Sequence, residues 1–257
     1  MDATPEMQSK RAPYGIIGLC LSIVAAIVLT LIVMAAAAAA VYFGDAALHG
    51  MGDARTKARA VLSTLQIDDQ FGAARLALGI FFYVAALASI LLVACWRAGR
   101  DWRTLVAWRV PLWPMRDKIL WGIVAIGLIY DLASSAALAH FYPQSNSWLQ
   151  MPHGHMAIAL LLVVAVIVAP VVEETYFRGW IFTSLRQSWG RWPAIIISAL
   201  LFGLAHYEST HLYALAVFPL GLILAALRER TGSAGTSMLF HAANNLIAVL
   251  SAAASST

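Results

Sequence analysis

The sequence predicts an all-α, polytopic transmembrane helical bundle. Three observations carry that expectation. Of 257 residues, 61% are hydrophobic and only 12% are charged, about half the charged share of an ordinary soluble domain. Long runs without charge recur, such as "MAIALLLVVAVIVAP" at 156–170, where about 20 apolar residues suffice for one crossing. Nine Trp and eight Tyr suit a protein with two water–lipid interfaces to straddle. The balance excludes a water-soluble globular class. The net charge of +4 is dispersed between the runs, which points to membrane flanks and not to nucleic acid.

About seven apolar segments are expected: 16–43, 75–96, 118–139, 156–186, 193–206, 212–227 and 235–252. The first is far longer than the roughly 7–15 residues of a signal-peptide core, so it reads as an uncleaved span despite the alanines at 35–40. Lys10 and Arg11 precede it, six basic residues lie between Arg97 and Lys118, and Arg178, Arg186, Arg191, Arg228 and Arg230 accompany later segments. Placed on one side, they make the N-terminus cytoplasmic and the C-terminus external. The stretch "CWRAGRDWRTLVAWRVPLWPMRDK" alternates Arg with Trp96, Trp102, Trp108 and Trp113, as in a helix lying among lipid headgroups. Two parts follow: 1–117, anchoring spans and this interfacial segment, and 118–257, a core. Cys20 and Cys95 have no metal-ligand spacing and read as apolar packing residues.

The polar residues inside the apolar runs call for explanation, since a carboxylate at mid-membrane costs about 2.5–3.5 kcal/mol. In "VAPVVEETYFRGW", Glu174 and Arg178 are four apart on a helix and share a face, acid first. They read as a structural pair. Glu173 points about 100° away, keeps no such partner, and reads as the chemical carboxylate, able to hold a proton near neutrality once desolvated. His206 closes the fifth segment one turn after Phe202. In "HYESTH", His206 and His211 are five apart and off a common face, which excludes the soluble zinc-protease helix motif. In "SMLFHAANNLIAVL", His241 and Asn245 stack on one face, with Asn244 the weaker candidate. Counted from the nearest basic flank, Glu173, His206 and His241 lie about 20, 22 and 16 Å deep. Three helices thus deliver a carboxylate and two imidazoles to one layer. His49, His140, His153 and His155 fall at span ends or in a loop and do not join it.

Glu-Glu-x-x-x-Arg at 173–178, Phe-x-x-x-His at 202–206 and His-x-x-x-Asn at 241–245 occur in order on successive segments. This resembles the CAAX prenyl protease and bacteriocin-processing family of intramembrane proteases, over roughly 118–252. The resemblance implies an endopeptidase acting within a bilayer. Glu173 would be the base that activates water and His206 would hold that water, directly or through a metal. His241 and Asn245 would bind the scissile carbonyl oxygen or complete a metal site, while Glu174, Arg178 and Phe202 support the geometry. Glu173, His206 and His241 form a two-His, one-Glu zinc set, and the same residues also compose a metal-free hydrolase. The partners implied are a membrane-embedded or lipidated peptide and the lipid bilayer, with no nucleic acid, and the setting a bacterial inner membrane. Two rival readings are a proton- or ion-coupled transporter and a scaffold that binds membrane peptides without cutting them.

Overall fold

A computed structural model describes residues 16–66, 72–141, 152, 154–207 and 212–255. Expectations placed on Lys10, Arg11, His153 and His211 fall outside those residues. The described residues form helices and contain no strand. In order they are α1 (Ile16–His49), α2 (Met51–Gln66), α3 (Ala73–Ala98), a short α4 (Trp102–Leu105), α5 (Lys118–Phe141), α6 (His155–Leu162), α7 (Ala169–Glu174), α8 (Phe182–Trp189), α9 (Arg191–Ala205), α10 (Leu212–Thr231) and α11 (Ala234–Ser255).

All seven expected apolar segments are helical. Among the described residues, five helical stretches are long and apolar enough to cross a membrane: those beginning at Ile17, Ala73, Lys118, His155 and Leu212. The other two differ for separate reasons. α9, with 15 residues, reaches only about 22 Å, short of the roughly 30 Å hydrocarbon core. α11 is long enough at 22 residues, but Ser237, His241, Asn244 and Asn245 dilute its apolar character. Wide apolar faces remain uncovered, including Ile17, Leu21 and Ile32 on α1 and Ile119, Ile126 and Leu132 on α5. Such faces suit lipid, not water. The chain is a multi-pass membrane protein.

From 155 to 189 the chain is one continuous helical path interrupted by two π-helical turns, Val163–Val168 and Thr175–Ile181. The first sits at Pro170. The Ala169 N–H already bonds five residues back, to Val164 O, so the next donor in that register would serve Ala165 O. Pro170 has no N–H to give. Asn245 Nδ2 on α11 donates to Ala165 O instead, at 2.7 Å, as freed backbone groups within a membrane require. At the second π turn, Arg228 Nε donates to Arg178 O at 3.1 Å.

The Trp- and Arg-rich segment departs from the expected headgroup helix. It is helical only through Leu105, because Pro111 and Pro114 bar a longer helix, and then runs inward. Leu105, Val106 and Ala107 are buried. Ala107 O accepts from Ala234 N at 3.0 Å, Leu112 N donates to Thr236 Oγ1 at 3.0 Å, and Trp108 Nε1 donates to Thr175 Oγ1 at 2.8 Å. The segment wedges against α11 and the second π turn. It also joins the two parts expected from the sequence: Leu19, Ile90 and Val93 pack in one cluster with Val106 and Trp180.

The basic ends of several helices are tied rather than free. Arg186 holds Glu229 through two hydrogen bonds, at 2.9 and 3.1 Å, and Arg230 holds Asp117 at 2.8 and 2.9 Å. The hydrogen bonds from the Arg230 guanidinium, with those from the Leu120 and Ile119 N–H groups, keep the Asp117 carboxyl below the usual carboxylate range.

The wedge depends on two missing side chains, those of Gly179 and Gly235, whose Cβ atoms would each lie 2.5 Å from a carbonyl oxygen of the segment, Val106 O and Arg109 O. With a Cβ on Gly179, the backbone of 106–112 would have to move. Gly179→Ala is expected to destabilise the protein by about 1–3 kcal/mol. Gly52, which has nothing within 4 Å of its Cβ position, should accept Ala with no loss. Thermal unfolding of both variants in detergent checks the difference.

Candidate active site

The site begins with a buried anion. Glu174 and Arg178 are fully buried, and Arg178 Nη1 donates to Glu174 Oε1 at 2.9 Å, the pairing expected from their spacing. Arg178 Nη2 reaches across to Gly221 O on α10 at 2.9 Å. The guanidinium carbon lies 4.3 Å from the centre of the Phe202 ring, within cation–π range. Three helical elements are thereby locked around one charge. Glu174 also does something the sequence reading did not foresee: its Oε1 receives Nδ1 of His241 at 3.0 Å.

That contact decides the state of the ring. A carboxylate only accepts, so the proton of neutral His241 sits on Nδ1. His206 is fixed in the same way. It ends α9, and its Nδ1 donates to Phe202 O, one turn back, at 2.8 Å. A carbonyl also only accepts, so His206 too carries its proton on Nδ1. The Phe202 ring packs against both imidazoles, with centroids 4.6 Å from His206 and 5.7 Å from His241. Each Nε2 is left as a lone pair.

Both lone pairs face Glu173. Its Oε2 lies 3.8 Å from His206 Nε2 and 4.0 Å from His241 Nε2. Three acceptors therefore converge with no hydrogen bond among them. The spacing leaves room for a group that brings protons or positive charge, such as a water with two O–H bonds to donate. Glu173 Oε1 is held separately by the Tyr83 hydroxyl at 2.7 Å. Glu173 and His206 open on a cavity of about 510 Å³, whose other walls include Ile27 and Leu31 of α1 and Phe82 and Tyr83 of α3.

The structure thus brings Glu173, His206 and His241 together, with Glu174, Arg178 and Phe202 behind them. His241, which the resemblance assigns to the scissile carbonyl or to a metal site, gives its Nδ1 proton to Glu174 and presents Nε2 to Glu173, and one N–H of Asn245 is bonded to Ala165 O. Tyr83 and Arg228 were not singled out by sequence reading. Tyr83 sits in an apolar run as an interfacial tyrosine would, and Arg228 reads there as one more basic flank.

The donor types fit a zinc ion: two His and one Glu, each imidazole giving its other ring N–H to a carbonyl or carboxylate as metal-binding histidines do. The trio is nevertheless open. Among the described residues, the one set of three His, Cys, Asp or Glu whose ligand atoms lie within 4.8 Å of one another is Asp45, His49 and Asp53. That set lies on the exposed α1–α2 hairpin, where Lys57 Nζ already sits 2.8 Å from both aspartates.

With this geometry in view, comparison with known proteins is informative. Residues 155–247 match the family described as "Rce1-like: Type II CAAX prenyl endopeptidase Rce1-like". An Escherichia coli protein, "Uncharacterized 24.3 kDa protein", is 37% identical over 87 residues, covering 33% of this chain and 40% of that one. "Putative membrane peptidase YdiL" of Bacillus subtilis (strain 168) is 32% identical over 94 residues, covering 37% of this chain and 38% of that one. The chain spans about two fifths of the length of these relatives. No solved structure matches it. The matched region runs from α6 to α11 and contains every residue of the three motifs, so the resemblance noted from those motifs holds.

Removing one member of the buried pair leaves a charge without its partner, which typically costs about 3–5 kcal/mol. Arg178→Ala is expected to lower stability by that order, measured by unfolding in detergent. Asn245→Ala, which strips the Ala165 carbonyl of its donor, should cost about 1–3 kcal/mol.

Proposed function

We propose that this chain, whose helices α6 to α11 carry the Rce1-like signature, is an intramembrane endopeptidase that hydrolyses membrane-embedded or lipidated polypeptides with water activated by Glu173. The observation that carries the reading is the convergence of Glu173 Oε2 on two imidazole lone pairs at 3.8 and 4.0 Å. A water held there donates one proton toward the carboxylate and the other toward an imidazole, which aims an oxygen lone pair outward. As that oxygen attacks a peptide carbonyl carbon, the C=O electron pair moves onto its oxygen and Glu173 takes the water proton. When the C–N bond breaks, Glu173 returns the proton to the departing amine.

His206 and His241 hold the water in this scheme, and their Nδ1 bonds keep the rings from turning. Glu173, His206 and His241 would also hold a zinc ion, which when bound lowers the pKa of its water toward neutrality. Glu174, Arg178 and Phe202 position the rings, and Asn245 positions the helix that carries Glu173.

The cavity walls support the substrate class in this reading. Apart from Glu173, His206 and a few hydroxyls, they are apolar, which suits a segment delivered from the bilayer. A CAAX-type prenylated end, named in the family description, and a bacteriocin-like precursor are the two forms this reading includes. The distribution of basic flanks supports an N-terminus on the cytoplasmic side, and a bacterial inner membrane is the setting this reading adopts. A proton relay would instead need polar groups leading away from the cluster, and those apolar walls do not favour it.

Purified protein with a panel of labelled membrane peptides tests the proposal. Glu173→Gln should lower kcat by about 10²–10⁴-fold, the contribution of a general base, and His206→Ala should abolish cleavage while binding persists. Loss of cleavage on chelation, restored by zinc, assigns the metal-assisted form. Cleavage indifferent to chelator assigns the metal-free form.

A further inference from the structure

The protease reading needs donors for a developing oxyanion, and the structure brings a further O–H group to the site. A carbonyl oxygen that becomes an oxyanion needs a hydrogen-bond donor aimed at it. The two imidazoles cannot supply one through Nε2 while neutral, and the Asn245 amide gives one of its two N–H groups to Ala165 O. The Tyr83 hydroxyl is a neutral O–H donor that reaches Glu173 Oε1, at 2.7 Å. Tyr83, on α3 and outside the matched region 155–247, lines the same cavity as Glu173 and His206.

The geometry points to Tyr83 as a catalytic residue: its hydroxyl holds Glu173 Oε1 before reaction and then stabilises the substrate oxyanion. This inference rests on the protease reading of the same site. Its first half is the 2.7 Å hydrogen bond. By occupying Oε1, Tyr83 fixes the carboxylate so that Oε2 is the oxygen presented to the two Nε2 atoms. The second half follows from where charge travels. Before attack, the negative charge is on Glu173, and the phenol O–H points to it. During attack, Glu173 gains the water proton and becomes neutral, while the carbonyl oxygen gains the electron pair of the broken π bond. A donor prefers a charged acceptor to a neutral one, so the phenol O–H follows the charge from Glu173 to the oxyanion. When the carbonyl re-forms and the amine leaves with the proton, Glu173 is again an anion and Tyr83 returns to it. No proton is consumed and Tyr83 keeps its own throughout.

The consequence for the chain's organisation is direct. The spans before residue 117 are more than an anchor, because α3 supplies a reacting group and α1 and α3 together wall the cavity.

Tyr83→Phe removes the hydroxyl and keeps the ring. With a peptide that wild type cleaves and Glu173→Gln does not, Tyr83→Phe should lose roughly 10²–10³-fold in kcat, the usual effect of deleting one oxyanion donor. KM should stay within about threefold and the thermal midpoint near wild type, since an oxyanion donor acts chiefly in the transition state. A merely structural tyrosine would shift KM or the midpoint along with kcat. In a Glu173→Gln background the same substitution should have little further effect on residual cleavage, because the charge it follows is gone. Cleavage by Tyr83→Phe within about threefold of wild type, far short of the loss expected for an oxyanion donor, overturns the Tyr83 role and leaves the protease reading standing. No cleavage of any peptide by wild type overturns the protease reading and the Tyr83 role together.

Discussion

The ion pair of Glu174 with Arg178 is the constraint on which the site depends. Two opposite charges inside a membrane protein persist only when each is hydrogen-bonded and paired, and here the requirement is met by groups from several helices. Arg178 reaches the Gly221 carbonyl on α10 and lies over the Phe202 ring on α9, and Glu174 receives the His241 ring on α11. Satisfying one buried charge therefore fixes the relative placement of the helices that carry Glu173, His206 and His241. The adjacent Glu173, carried by the same backbone, is left facing the cavity. Adjacent glutamates divide into one buried in the ion pair and one that faces the cavity because successive residues on a helix point about 100° apart.

The backbone irregularities serve the same placement. Two π turns flank the Glu173–Glu174 pair, a common setting for functional sites, and each exposes a carbonyl that a side chain from another helix satisfies: Asn245 at Ala165 and Arg228 at Arg178. Thr175, at the start of the second turn, is gripped by Trp108 from the inserted segment. The helix that bears Glu173 is thus held along its length by polar contacts, in a medium where each unmade one is costly.

Much of this was legible in the sequence because intramembrane charge is expensive and so rarely incidental. The seven apolar segments, the Glu174–Arg178 pair and the common depth of Glu173, His206 and His241 all follow from spacing and composition. What escaped notice depends on long-range packing. Tyr83 is one tyrosine among eight, and nothing local marks it as facing a carboxylate 90 residues away. The contacts of His241 with Glu174 and of Asn245 with Ala165 have no local signal because those partners lie on a different helix. The inward wedge at 106–112 did carry a signal, the prolines at 111 and 114, but the alternating Trp and Arg pattern outweighed it. α2, a polar helix between two spans, fell outside a search for apolar runs.

The central claim is that both imidazoles present a bare Nε2 to Glu173. Solid-state ¹⁵N spectra of histidine-labelled protein in bilayers at neutral pH, assigned with His206 and His241 variants, report the tautomer of each ring. The account predicts Nδ1 protonated and Nε2 unprotonated in both. A proton on Nε2 of either neutral ring would contradict it.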